Sequence, residues 1–213
     1  MSNLPDAEKP RFVYWKANSR ALAPMLMLDA AGVEYVWDDA TANTWPKPKE
    51  NLPFGQLPVL YHNDMCIAQS ATITRYCAKL AKLTSLNEKE NIVSDMLQEH
   101  CNDIFNDLGK AKYCPDVPEY KEKHGWEAVK NSKLQNKLGY LENMLGDKKY
   151  FNGDELQWGD ICVFAMTELC SQAKLFDCFE EFPNLKSHYA RVSKYGGIQK
   201  YFENPVNPYF VAE

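Results

Sequence analysis

The chain has 213 residues, of which 45% are hydrophobic, 13% aromatic and 25% charged. That composition belongs to ordinary globular proteins and excludes a disordered or fibrous chain. With 24 Lys and Arg against 29 Asp and Glu, the formal net charge is −5, which argues against general affinity for nucleic acid or anionic membranes.

No apolar run approaches the roughly 20 residues of a bilayer span. The start, MSNLPDAEKP, carries Asp6 and Glu8 and lacks the apolar core of a secretory signal. Seven cysteines, none in a C-x-x-C pair, read as reduced thiols rather than a disulfide framework, so a cytoplasmic location is expected.

Short β-rich runs alternate with helical ones from Arg11 to Leu83. RFVYW (Arg11 to Trp15) is a strand, and Arg20 to Ala31 is an apolar helix stopped by Gly32. VEYVW (Val33 to Trp37) is a second strand. Leu57 to His62 and Met65 to Gln69 flank Asn63-Asp64 as a hairpin, and a helix follows from Ser70 to about Leu83. The order β-α-β-loop-β-β-α defines an α/β half-domain with a hairpin at its edge.

Beyond Leu86 the patterns are helical. Ile92, Val93, Met96, Leu97, Cys101, Ile104, Phe105 and Leu108 form one long stripe, and Leu134, Leu138, Leu141 and Leu145 a second. ICVFAMTEL (Ile161 to Leu169) is apolar nearly all round, as a central buried helix would be. Pro183 and Gly196-Gly197 punctuate shorter helices. The expected organisation is an α/β domain over 1–84 with an N-terminal extension at 1–10, a linker at 85–91, and an all-helical domain over 92–213.

The informative segment is NLPFGQLPVLYHNDMCIAQSATITRYCAKL, Asn51 to Leu80. A proline at the start of a strand, Pro58, can be cis, which leaves the backbone of Leu57 able to pair with an extended peptide. Gln69-Ser70 stands where a strand enters a helix, so an amide, a hydroxyl and helix N-terminal N–H groups converge as a carboxylate site. Taken singly, Pro58 also fits a strand-edge proline and Ser70 a plain N-cap.

Together, Leu57-Pro58, Gln69-Ser70 and the Thr74-Arg75-Tyr76 that follows resemble the thioredoxin-like domain of cytosolic glutathione transferases. Trp45-Pro46, Lys49 and Phe54-Gly55-Gln56 ahead of them are most similar to the sigma-like class, which includes glutathione-dependent prostaglandin D synthases. The resemblance is strong over 45–80, fair over 11–37, and one of architecture over 88–205. It implies a thioredoxin-like domain followed by an all-α domain, glutathione as co-substrate and a homodimer; no metal is expected.

By this resemblance Tyr14, ending the first strand, activates the glutathione thiol. The chemistry requires such a group: a thiol of pKa ~8.5 is mostly protonated at neutral pH, and the thiolate is the nucleophile. Arg20 supplies positive field near the sulfur. Trp45 and Lys49 hold the glycyl end, with Lys47 a nearby competitor. Leu57 meets the cysteinyl unit with its backbone, Pro58 is the cis-proline, and Gln56 is a further glutathione-binding residue. Gln69 and Ser70 hold the γ-glutamyl carboxylate, and Asp103 reaches the γ-glutamyl amine from the partner subunit. Asn102 beside it weakens the case for a metal.

The pattern departs from the family at Ser19, where a glycine is usual, and at Leu22. Ser19 either caps the first helix or presents its hydroxyl near the sulfur. Pro24 lies inside the first helix, and Gln157 replaces the Ser or Thr that usually starts a capping box with Asp160. The second substrate is expected between the domains, against Trp15, Ala17, Asn18, Ser19, Phe105, Gly109, Tyr113, Tyr209 and Phe210. Three activities remain open on these residues: conjugation to hydrophobic electrophiles, isomerisation of a prostaglandin-type endoperoxide or peroxidase chemistry on the same site, and a crystallin-like structural role. A dithiol oxidoreductase is excluded, because Tyr14-Trp15-Lys16-Ala17-Asn18 stands where its C-x-x-C would be.

Overall fold

The structure is a computed structural model, and it describes residues 9–15, 19–40, 49–173 and 178–203. These fall into two compact units. The first comprises 9–83 together with 196–203, and the second 84–195.

In the first unit, strand β1 (Arg11–Tyr14) leads to helix α1 (Leu22–Ala31) and strand β2 (Val36–Asp39), then hairpin β3 (Val59–His62) and β4 (Met65–Ala68), then helix α2 (Ser70–Leu80). The sheet order is β2-β1-β3-β4, with β1 and β2 parallel and the other pairs antiparallel. Phe12 and Tyr14 alternate inward along β1, joining Leu26, Met27, Leu28, Val59, Leu60, Ile73 and Cys77 in the core. The hairpin turns on Asn63, whose φ of 51° is the left-handed geometry that a two-residue loop between His62 and Met65 requires.

Two sequence expectations shift here. Strand β2 starts at Val36 rather than Val33, because the end of α1 claims the earlier residues. Gly32 turns left-handed with φ 65°, its N–H bonds the Asp29 carbonyl at 3.0 Å, and the Val33 N–H bonds Leu28 at 2.9 Å. This paired closure consumes Val33, so parallel pairing with Arg11 begins only at Val36. Pro24 leaves α1 intact because it lies in the first turn, where no intrahelical donor is needed, and the Met25 N–H reaches Ala21 at 3.1 Å.

The second unit is built on helix α3 (Glu88–Lys112), whose Asn87 side chain caps the Lys89 N–H at 3.1 Å. Then come α4 (Pro118–His124), α5 (Trp126–Ala128), a π-helical stretch (Val129–Leu134), α6 (Gln135–Leu145), α7 (Trp158–Gln172), α8 (Cys178–Glu181) and α9 (Pro183–Val192). Helix α7 is buried from Trp158 to Cys170, the central helix its composition foretells. It packs on α3 at very short range: a Cβ on Gly159 would lie 2.8 Å from the Ser94 Cα. Asp160, 1% exposed, accepts from the backbone N–H of Gln157 and of Phe151, each at 3.0 Å, and lies 3.0 Å from His188 Nε2. Asp160 thus makes the capping-box bond to the Gln157 backbone and ties α7 to the loop before it.

The last described elements, a 3₁₀ turn (Gly196–Ile198) and α10 (Gln199–Glu203), belong to the first unit, whereas the sequence pattern assigns all of 92–213 to the helical domain. The turn packs against α1. There a Cβ on Gly197 would come within 1.6 Å of the Asp29 carbonyl oxygen. The neighbouring Asp29 carboxyl hydrogen-bonds Tyr35, and burial raises its pKa to about 6 against the partly offsetting Tyr35 bond and Lys200 charge.

Candidate functional site

A cleft of about 450 Å³ opens in the first unit, lined by Trp15, Arg20, Phe54, Gly55, Gln56, Leu57, Pro58, Ala68, Gln69 and Ser70. The fold explains the convergence. Leu57-Pro58 enters β3, and its peptide bond is cis. Sheet pairing of β3 starts at Val59, so Leu57 stands outside the ladder. Gln69 and Ser70 stand where the antiparallel β4 gives way to α2.

Gln69 holds φ 70° and ψ 120°, a conformation that side-chain-bearing residues rarely adopt. It turns the chain so that α2 begins at the cleft wall. The first bond of this helix runs from the Ile73 N–H to the Gln69 carbonyl at 3.0 Å, so the amides of Ser70, Ala71 and Thr72 precede the ladder. The Ser70 hydroxyl, the Gln69 amide, the Arg20 guanidinium and the amides that open α2 all belong to residues in or next to the cleft lining, and such groups are of the kind that hold carboxylates. Gly55 turns with φ 60°, and the Lys49 side chain runs beside it, its Cε 3.4 Å from where a Cβ would stand. Lys49 itself is exposed.

Of the residues singled out in the sequence, the cleft gathers Trp15, Arg20, Gln56, Leu57, Pro58, Gln69 and Ser70, with Lys49 beside Gly55. Phe54 and Gly55, which the sequence offers only as part of the resemblance, and Ala68, which it does not single out, also line it. Phe54-Gly55 carried the available signal, a bulky residue beside the glycine of a tight turn.

Tyr14 is covalently next to the lining residue Trp15 but is itself 5% exposed. Its hydroxyl lies 2.9 Å from the hydroxyl of Ser19, which is 3% exposed. The Tyr14 ring meets Trp37 edge-on at 6.4 Å. Ser19 therefore does not cap α1, whose N-cap position is Ala21.

In the second unit Asp103 is exposed on α3, Asn102 donates to Glu99 at 3.2 Å, and Phe105 is buried. A Cβ on Gly109 would meet open space. Tyr113, 68% exposed, lines a separate hollow with Cys114, Lys121 and Trp126. Trp45, Ala17, Asn18, Tyr209 and Phe210 lie outside the described residues.

Cys77 and Cys101 are buried thiols of the two units. Burial pushes the Cys77 thiol up to about 12 and the Cys101 thiol higher still, so both stay protonated at neutral pH. Cys66 is half-buried on β4. No group of three or more His, Cys, Asp or Glu among the described residues is placed to hold a metal ion.

Residues 10–79 match the family model of the glutathione S-transferase N-terminal domain, and residues 102–205 that of the C-terminal domain. A hematopoietic prostaglandin D synthase of Gallus gallus is 28% identical over 195 residues, covering 91% of this chain and 94% of that protein. A probable glutathione S-transferase 6 of Caenorhabditis elegans is 27% identical over 199 residues, covering 91% and 95%. Among solved structures, prostaglandin synthase D of Nilaparvata lugens superposes with a TM-score of 0.83 at 23% identity, over 94% of this chain and all of that one. The Onchocerca volvulus Pi-class glutathione S-transferase gives 0.81 at 24%, over 92% of each.

The chain belongs to the glutathione S-transferase family, with the thioredoxin-like and helical domains of that fold. Members of the family are transferases that take glutathione as co-substrate. None of the described helices is long and apolar enough to cross a membrane.

Proposed function

We propose that this protein is a sigma-like glutathione transferase that conjugates the glutathione thiolate to hydrophobic electrophiles, with Tyr14 as the thiol-activating residue. The observation that carries the reading is the cleft. Its lining includes Trp15, Leu57, Gln69 and Ser70, and Tyr14 precedes Trp15 at the end of β1, which supports the reading.

An anionic tripeptide fits these groups in order. Its γ-glutamyl carboxylate meets Ser70, Gln69 and the free amides of α2. Its cysteinyl backbone pairs with Leu57, and its glycyl carboxylate meets Lys49. The thiol then lies toward the end of β1. A phenol O–H donated to the sulfur lowers the thiol pKa and raises the reactive fraction. In conjugation the thiol proton departs, the sulfur lone pair forms the S–C bond, and the carbon–halogen bond of a halide substrate breaks to release the halide.

Within this reading the protein is a cytoplasmic homodimer, and Asp103 of one subunit reaches the γ-glutamyl amine bound by the other. A second activity, isomerisation of a prostaglandin-type endoperoxide by the same thiolate, is favoured by the relative named as a prostaglandin D synthase.

The test is Tyr14→Phe with chlorodinitrobenzene as electrophile. A charge-assisted hydrogen bond worth about 1.5–3 kcal/mol corresponds to a roughly 10- to 100-fold fall in turnover. KM for glutathione stays nearly unchanged. Equal rates for variant and wild type overturn the role of Tyr14. A prostaglandin endoperoxide offered to the wild type separates the two activities.

A further inference from the structure

We propose that Ser19 is a positioning residue that acts through Tyr14: it donates its hydroxyl proton to the phenol oxygen and so makes Tyr14 the stronger donor to the substrate sulfur. This rests on the reading of Tyr14 as the thiol-activating residue.

The two hydroxyls are 2.9 Å apart and both side chains are buried. Each is fixed by its backbone. Tyr14 ends β1, where its carbonyl accepts from the Ala40 N–H at 3.0 Å, and its ring is held by Trp37. The Ser19 carbonyl accepts from the Leu22 N–H at 3.0 Å, which locks the turn into α1. Each is covalently joined to a residue of the cleft wall, Tyr14 to Trp15 and Ser19 to Arg20.

The direction of the proton chain follows from acidity. Two hydroxyls that share one hydrogen bond have one O–H left to donate. A phenol titrates near pKa ~10, far below an aliphatic hydroxyl, so it gives the stronger bond to an anionic sulfur. The serine proton therefore points to the phenol oxygen and the phenol proton to the sulfur. Accepting a bond at its oxygen polarises the phenol O–H further, so the two bonds reinforce each other in a buried setting. The glycine that the family often carries at this position has no hydroxyl, so this support is a property of the present chain.

The experiment measures the pH dependence of kcat/KM with glutathione and chlorodinitrobenzene for wild type, Ser19→Ala, Ser19→Gly, Tyr14→Phe and the Tyr14→Phe/Ser19→Ala double variant. Loss of a supporting bond is expected to raise the apparent pKa of bound glutathione by roughly half a pH unit in either Ser19 variant, a thiolate fraction about threefold lower at acidic pH. The deficit should close at high pH, where the thiol ionises unaided, and Ser19→Ala should be silent in the Tyr14→Phe background.

A uniform fall at every pH, with the midpoint unmoved, marks a structural serine and overturns the proposal. A raised midpoint in Tyr14→Phe with an unchanged one in both Ser19 variants overturns this inference alone. An unchanged midpoint in Tyr14→Phe with a raised one in Ser19→Ala makes serine the direct donor and overturns both readings. Using two Ser19 variants guards against one that fails to fold.

Discussion

Gly197 stands so close to Asp29 that any side chain on it would collide with the backbone of α1. A Cβ would come 1.6 Å from the Asp29 carbonyl oxygen and 2.3 Å from its carbon, and neither atom can rotate away. The contact fastens residues 196–203 to the helix whose N-terminal approach carries Ser19 and Arg20.

Gly197→Ala should therefore displace the 3₁₀ turn and α10. Overpacking of this kind is worth roughly 1–3 kcal/mol of stability. Limited proteolysis within 196–203 should accelerate relative to wild type, and thermal unfolding should shift down. Unchanged protease sensitivity would contradict the contact.

Asp29 gives a pH dependence whose sign can be worked out. Its carboxyl rises from the ordinary 3.8 to about 6 through burial, opposed by the Tyr35 hydrogen bond and the Lys200 charge. The folded protein therefore holds this proton more tightly than the unfolded chain. Its contribution is fully present below about pH 4 and is lost as pH rises toward about 6. Asp29→Asn, which retains an acceptor for the Tyr35 hydroxyl, should remove that slope. It should be more stable than wild type at neutral pH by about 1 kcal/mol, after discounting for solvent screening of a half-buried group. Urea unfolding of both proteins at pH 5 and pH 7 checks the difference.

The hairpin, the start of α2 and the buried α7 were legible because each rests on local chemistry: Asn63-Asp64 between two strands, Ser70 where a strand enters a helix, a nearly continuous apolar run. Strand β2 was misplaced by three residues because its register comes from Arg11 on another strand, after the closure of α1 has used Val33. The Gly197–Asp29 contact spans the chain, and Gly196-Gly197 looked only like punctuation. In the site, Gln69 and Ser70 were readable from their place before a helix. The pairing of the Ser19 hydroxyl with Tyr14 was not, since five residues of separation do not say whether a serine caps the next helix or turns back to the strand.

At Gln69 the backbone and the side chain serve different ends. Its φ of 70° carries strain of about 1–3 kcal/mol for a residue with a Cβ. Glycine relieves it at an entropic penalty of about 0.5–1 kcal/mol. Gln69→Gly should then raise stability by about 1 kcal/mol while weakening glutathione binding severalfold through loss of the amide. Thermal unfolding and KM for glutathione should move in these opposite senses, and a fall in both stability and affinity would refute the strain.

Asp160 concentrates the closure of the helical unit in one buried carboxylate. Asp160→Ala strands the N–H groups of Gln157 and Phe151, each worth about 1–3 kcal/mol when left unpaired, so unfolding free energy should drop by roughly 2–6 kcal/mol. Asp160→Asn, which keeps an acceptor oxygen, should lose about half as much. The urea midpoints of the two variants should fall in that order.

The return of residues 196–203 to the first unit also sets a schedule. A ribosome emits the α/β segment first and the helical segment next, at about 5–20 residues per second. The α/β unit must therefore wait, with the α1 surface that receives Gly197 uncovered, until the helices of 84–195 have been made. The order of synthesis and the order of completion thus part: the unit that carries the cleft begins first, yet it closes only after 84–195 has been made.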